Sequence, residues 1–238
     1  MTGTVPRGPG TVPAVDTAVA VVAVTALCAA GANWWSRVSV RHVEGRVEGR
    51  VDRRVVEAIS KPAATIAIGV LAVLVADDAP TAAVVAAVIG FVCCLAGDVA
   101  LLPAIDRFVV GLASFLAGHL AFVVMFVALG LPHRWLGVVA LVAVALMAAM
   151  LGRPIVAGAA RHDRALVRPV QAYLTVISSM AVVGWATGRW PSIVGSAAFV
   201  ASDSILGWRQ FVSERTWMPV AVMVTYHAAL VGLALSLA

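Results

Sequence analysis

The chain has 238 residues, of which 62% are hydrophobic and only 12% charged, with a net charge of +5. Mean hydropathy is +0.99. A soluble domain carries about 25% charged residues, so this composition excludes a soluble globular fold and points to an integral membrane protein. The apolar runs are long and lack period-two alternation. That excludes a membrane barrel and predicts an all-α polytopic membrane helix bundle of about eight transmembrane helices. The basic excess does not indicate nucleic acid. The arginines gather between the apolar runs, where they orient the chain and meet anionic lipid head groups.

Residues 1–13 are rich in Pro, Gly and Thr and read as a disordered N-terminal tail. Residues 14–238 read as a single transmembrane domain. The first run, 14–35, is followed rather than preceded by strong positive charge. It therefore reads as a retained spanning helix, not a signal peptide. Seven further spans follow, at 62–77, 81–102, 107–130, 134–151, 168–187, 191–208 and 217–237. Between the first two lies 36–61, a basic cytoplasmic loop. Within it Val43, Val47, Val51 and Val55 are spaced four apart. That spacing fits either an amphipathic helix lying on anionic lipid or a solvated loop helix weakened by Gly45 and Gly49. Cys28, Cys93 and Cys94 read as small packing residues and imply no disulfide. Fourteen of the seventeen basic residues fall in the first, third, fifth and seventh loops. This asymmetry places those loops in the cytoplasm and both termini outside; the chain reads as a multi-pass protein of a bacterial cell membrane, and its Arg, Ala and Val richness as high-GC coding bias.

Two carboxylates interrupt the apolar runs: Asp98 in FVCCLAGDVALLP and Asp203 in SIVGSAAFVASDSILG. Each costs about 2.5–3.5 kcal/mol on insertion scales, a cost any apolar residue avoids. His119, in FLAGHLAFVV, is a third ionisable group within a span. At the helical rise of about 1.5 Å per residue, Lys61, Asp98, Tyr173 and Asp203 share one depth in the cytoplasmic leaflet. His119 lies deeper. The common depth predicts one enclosed polar pocket. Simpler readings stand beside it. An Asp after Gly or Ser caps a short helix, and a histidine bonds across helices. Tyr173, Tyr226 and the seven tryptophans near span ends fit an interfacial belt. Lys61 before Pro62 opens a helix and snorkels.

No Cys/His cluster has metal-ligand spacing, and neither a nucleotide-binding Gly loop nor a GxSxG elbow occurs. His162 and Asp163 sit in a basic loop and read as solvated. What remains is carboxylate acid–base chemistry, or a proton or ion pathway, with neither metal nor organic cofactor.

Three motifs carry a family resemblance: GDxxLL at Gly97–Leu102, FxxGLxxFLxGHLxF at Phe108–Phe122, and GSAAFVxSD at Gly195–Asp203. With Lys61-Pro62 and YxxxISSM at Tyr173–Met180, the chain from about residue 60 onward resembles the YhhN family. Its members are lysoplasmalogenases, eight-span hydrolases of vinyl-ether lysophospholipids. The chain departs from the family pattern at Phe122, where a Tyr is expected, and after Tyr226, where a Gln is expected. The resemblance implies a lysophospholipid substrate, cleaved to an aldehyde and a glycerophospho-alcohol. It implies that Asp98 and Asp203 divide the acid and base roles, with His119 or Tyr173 orienting water or a hydroxyl. Lys61, Tyr173 and Tyr226 would contact substrate, and Lys61 and the arginines of loop five would hold its phosphate. An intramembrane aspartyl protease is a poorer match, since Leu95 stands where its GxGD signature needs Gly. A proton-coupled transporter or small-molecule binder is the alternative from another class. The small residues on the helices also permit a homodimer.

Overall fold

A computed structural model describes residues 12–38 and 48–238. They form helices α1 (Val12–Val38), α2 (Glu48–Leu74), α3 (Thr81–Ala100), α4 (Phe108–Leu129), α5 (Arg134–Met147), α6 (Arg153–His162), α7 (Val167–Ala186), α8 (Trp190–Phe211) and α9 (Met218–Leu235), with no strand among them. A π-helical turn at Ala148–Gly152 joins α5 to α6 in one rod, Arg134–His162. The result is a bundle of eight rods.

Seven rods are long and apolar enough to cross a membrane. The eighth, α8, has 22 residues, about the span of the hydrocarbon core. Its hydropathy is lowered by Ser192, Ser196, Ser202, Asp203, Ser204, Arg209 and Gln210. The exterior is studded with exposed Val, Leu and Ile, among them Val21, Leu27, Val92, Val124, Leu141 and Leu146. In water such a surface would aggregate; in lipid it is the solvated face.

Two spans differ from those the hydropathy predicts. The expected loop 36–61 is largely helix. α1 runs to Val38, and α2 begins at Glu48 rather than at Pro62. Lys61 and Pro62 therefore lie in mid-helix. Hydropathy sees only the apolar half of α2, because its first turns carry Arg and Glu at helical spacing. Of the valine stripe, Val51 and Val55 fall in α2, whereas Val43 and Val47 lie outside the described residues, as does the tail over 1–11. The fifth span runs on to His162, because Arg153-Pro154 ends the apolar run without ending the helix. Pro154 sits in the first turn of α6, directly after the π turn.

Six helices pack in a closed ring, each against the next: α2, α3, α4, α7, α8, α9 and back to α2. α1 packs outside the ring against α2 and α9. α5 packs on α7, and α6 packs on α7 and α8. Small residues set the closest approaches, as expected where lipid supplies no hydrophobic drive between helices. A Cβ on Gly195 would stand 2.8 Å from the Leu233 backbone nitrogen, so α8 and α9 touch backbone to backbone there. Ser192 Oγ donates to Ser236 Oγ at 3.0 Å, and Ser202 Oγ donates to the Val222 carbonyl at 3.0 Å, along the same seam. At the α3–α4 seam, Gly97 leaves room for the Phe115 ring, whose edge a Cβ would strike at 2.6 Å. That glycine sets Asp98 and Phe115 side by side.

A candidate polar site enclosed by six helices

Asp98 is wholly buried on α3 and faces three donors. Lys61 Nζ on α2 lies 3.2 Å from Oδ1. Thr65 Oγ1, one helical turn after Lys61, donates to Oδ2 at 2.5 Å, and Tyr226 OH on α9 donates to the same oxygen at 2.8 Å. Lys61 is itself only 4% exposed. A buried carboxylate and a buried ammonium are each costly alone and tolerable together, with hydrogen bonds filling the remaining lone pairs. The cluster ties α2, α3 and α9 into one unit.

Asp203, on α8, is held differently. Tyr173 OH on α7 donates a short hydrogen bond to Oδ2. His119 Nε2 on α4 stands 3.6 Å from the same oxygen, beyond normal hydrogen-bond reach. His119 is fully buried, and neither ring nitrogen has a partner. It is fixed by packing instead, edge-on to Phe199 at 4.5 Å and to Tyr173 at 5.3 Å between ring centroids. Phe199 in turn meets Tyr226 at 5.6 Å, and Phe115 meets Tyr226 at 5.9 Å. An aromatic wall thus links the two carboxylates, each of which keeps its own polar partners.

Both carboxylates line one cavity of about 470 Å³, together with Arg37, Glu57, Lys61, Asp106, Arg209 and Tyr226. Its polar end lies where α1, α3 and α8 finish and α4 and α9 begin, beside the middle of α2. Asp106, in the α3–α4 turn, adopts a left-handed conformation with φ 45°, one that Asp tolerates better than most residues. At Asp203 the character changes. A narrow apolar crevice of about 40 Å³, lined by Phe108, Leu112, Ile155, Val170, Leu174 and Phe211, begins at Asp203 and Tyr173. A second, lined by Met147, Ala148, Leu151, Ile155, Leu174 and again Asp203, reaches the π turn. Turns of this kind are frequent at functional sites. Asp203 therefore stands at the junction of a charged chamber and an apolar seam.

All six predicted site residues converge here. Asp98, Lys61 and Tyr226 form one cluster, and Asp203, His119 and Tyr173 the other. Tyr173 and Tyr226 are 7% and 3% exposed, so neither is a belt residue, and Lys61 does not open a helix. Trp34 departs from the belt as well: its Nε1 donates to His227 Nδ1 at 2.9 Å inside the protein. The arginines of loop five do not line the cavity; Arg37 and Arg209 do. Phe122, at the position where a Tyr was expected, is a fully buried ring packed edge-on to Phe91 at 5.5 Å.

Sequence reading missed Thr65, Arg37, Glu57 and Arg209. Thr65 had a usable signal, a polar residue four after Lys61 and so on the same helix face. Arg37 and Arg209 had none, because terminal arginines of spanning helices ordinarily serve topology.

The YhhN family model matches residues 56–237, a stretch that takes in both clusters and leaves α1 outside. Searches among curated proteins and among solved structures returned no match.

Proposed function

The chain belongs to the YhhN family, and on that footing we propose that it hydrolyses the vinyl-ether bond of a lysophospholipid at the membrane boundary. One observation carries the reading: both carboxylates line a single cavity, charged at one end and continued by an apolar seam at Asp203. An amphiphile with a phosphate head and one alkenyl chain matches that change of polarity, with the apolar side chains of the narrow seam parting to admit the chain.

The reaction adds water to R–CH=CH–O–R′ and releases R–CH₂–CHO and HO–R′. A proton goes first to the vinyl carbon on the chain side. The resulting oxocarbenium ion takes water at the carbon bearing oxygen, the water loses a proton, and the hemiacetal collapses to aldehyde and alcohol. The carbon to be protonated belongs to the alkyl chain, so the donor belongs where the seam begins. Asp203 is there, and in this reading it is the general acid. The carbon that gathers positive charge lies toward the head, where Asp98 faces the chamber. Asp98, anchored by Lys61, Thr65 and Tyr226, offers a fixed negative group without reorganising. His119 completes the arrangement. Its nitrogens have no other partner, and Nε2 is within one small movement of Asp203, so it can return a proton to that carboxylate after each turnover.

The test is aldehyde release from a lysoplasmalogen by purified protein, beside folded Asp98→Asn and Asp203→Asn variants. Wild-type turnover that falls about 10²-fold or more in both variants supports the reading. No aldehyde from either choline or ethanolamine lysolipids, in folded monodisperse protein, overturns it.

A further inference from the structure

Arg37 is the last basic residue of α1, the helix that precedes the family match. Its guanidinium nonetheless lines the catalytic cavity, as does that of Arg209 in the last turn of α8. The two line the same cavity, where their like charges repel. Each is paired with one carboxylate: Arg37 Nη2 meets Glu57 Oε1 at 2.5 Å, and Arg209 Nε meets Glu214 Oε1 at 2.6 Å. Those contacts occupy one donor of five in each fork. Among the described residues, Arg37 Nε is buried without a hydrogen-bond partner. Two forked cations beside one cavity, with donors unspent and one of them buried, make a receptor for a tetrahedral oxyanion.

Arg37 is held in place by α1 itself. Asn33 Nδ2 donates to Ser60 Oγ at 3.3 Å, and Trp34 Nε1 donates to His227 on α9. Both bonds lie within a turn of Arg37, and His227 follows the Tyr226 that binds Asp98. The helix outside the family match is thus bonded to the site's own elements, and its terminal arginine enters the chamber.

We propose that Arg37 and Arg209 form the phosphate subsite of this chain, and that α1 is thereby a substrate-binding element. The proposal rests on the lysophospholipid reading for its ligand, and it concerns binding rather than turnover. A phosphate held there lies at the charged end of the cavity, which leaves the chain to run past Asp203 into the apolar seam.

The experiment measures binding to the full-length protein in neutral-lipid nanodiscs. The ligands are a saturated-ether lysophospholipid, which cannot be hydrolysed at a vinyl ether, and the 1-alkylglycerol of the same chain length without phosphate. Arg37→Gln and Arg209→Gln are each expected to weaken the phospholipid about tenfold and to leave the alkylglycerol unchanged. Arg37→Lys should recover part of the loss, since a point charge lacks the fork. Equal loss for both ligands, or no loss for either, overturns the proposal. So does inorganic phosphate that competes as strongly as the lipid, which would mark a free-anion site. Thermal unfolding of each variant separates lost binding from lost fold. Because the ligand is not cleaved, failure of the hydrolase reading leaves this result interpretable.

Discussion

The fully buried Asp98 and the partly buried Asp203 line the same cavity and are built in opposite ways. Asp98 faces an ammonium, a threonine hydroxyl and a tyrosine hydroxyl. Asp203 has one tyrosine hydroxyl and a histidine held just out of hydrogen-bond range. The first is an ionic cluster that joins three helices, its Oδ2 doubly hydrogen-bonded and its Oδ1 met by the Lys61 charge alone. The second retains unspent polar capacity beside an apolar seam. Polar groups that are fully paired rigidify a core, whereas buried ones left unpaired persist where function holds them. The difference separates a fixed electrostatic support from a group free to exchange a proton.

The sharpest way to break the comparison is to neutralise each carboxylate in turn. Asp203→Asn is expected to lower kcat by 10²–10⁴, the usual range for a general acid, with little change in thermal stability. Asp98→Asn should lose activity too, and stability with it, because it strands the Lys61 ammonium in the interior. Removing one partner of a buried pair costs about 3–5 kcal/mol. Thermal unfolding in detergent reads the difference, and equal unfolding temperatures for the two variants would remove the distinction. The companion change, Lys61→Met, should be similarly destabilising alone. Combined with Asp98→Asn it should cost much less than the sum of the two, since neither charge is then unpaired.

His119 allows a test in which activity and stability move in opposite directions. His119→Leu removes two buried nitrogens that have no partner and fills the space against Phe199 with an apolar side chain. Replacing an unsatisfied buried polar group with an apolar one is neutral or stabilising. The variant should therefore unfold at the same or a higher temperature, while turnover falls about 10²-fold. A drop in stability would mean that the ring is structural, and the contrast between the half-sites would then rest on Asp203 alone.

How much of this was legible beforehand follows from where each signal lies. Asp98, Asp203 and His119 stand out because a charge in a hydrocarbon-length run is expensive and so rare. The depth that the two aspartates share with Lys61 and Tyr173, and the deeper place of His119, follow from counting about 1.5 Å per residue. What could not be read is which helices are neighbours. The closed ring, and the placing of Tyr226 on Asp98 and Tyr173 on Asp203 rather than the reverse, depend on packing at positions such as Gly97 and Gly195. The helical start of α2 was hidden because hydropathy registers burial in lipid, not helix formation, and its first turns are charged. Arg37 was hidden for a related reason: an arginine at the end of a span looks the same whether it faces head groups or a cavity.

The smallest expected effect probes the seam itself. Gly207 lines the crevice that begins at Asp203, and a Cβ there would lie 3.3 Å from the Ile155 Cδ1 atom. The contact is with the buried Ile155 side chain, its Cδ1 at 3.3 Å and its branched Cγ2 at 3.4 Å, which must give by a few tenths of an ångström. Alanine also favours a helix interior over glycine by about 1 kcal/mol. Gly207→Ala should therefore leave unfolding temperature unchanged or slightly higher while narrowing the seam by one methyl group. If the alkyl chain lies in that seam, KM for the alkenyl lysolipid should rise by roughly tenfold or less, the scale of one methylene in an apolar pocket, with kcat preserved. Arg37-dependent discrimination between the phospholipid and the alkylglycerol should survive, because the phosphate end is untouched. An unchanged KM would instead put the chain outside the seam, in the surrounding lipid. Asp203 would then be a buried acid approached only from the charged chamber, and the reason for assigning it the chain-side proton would be lost.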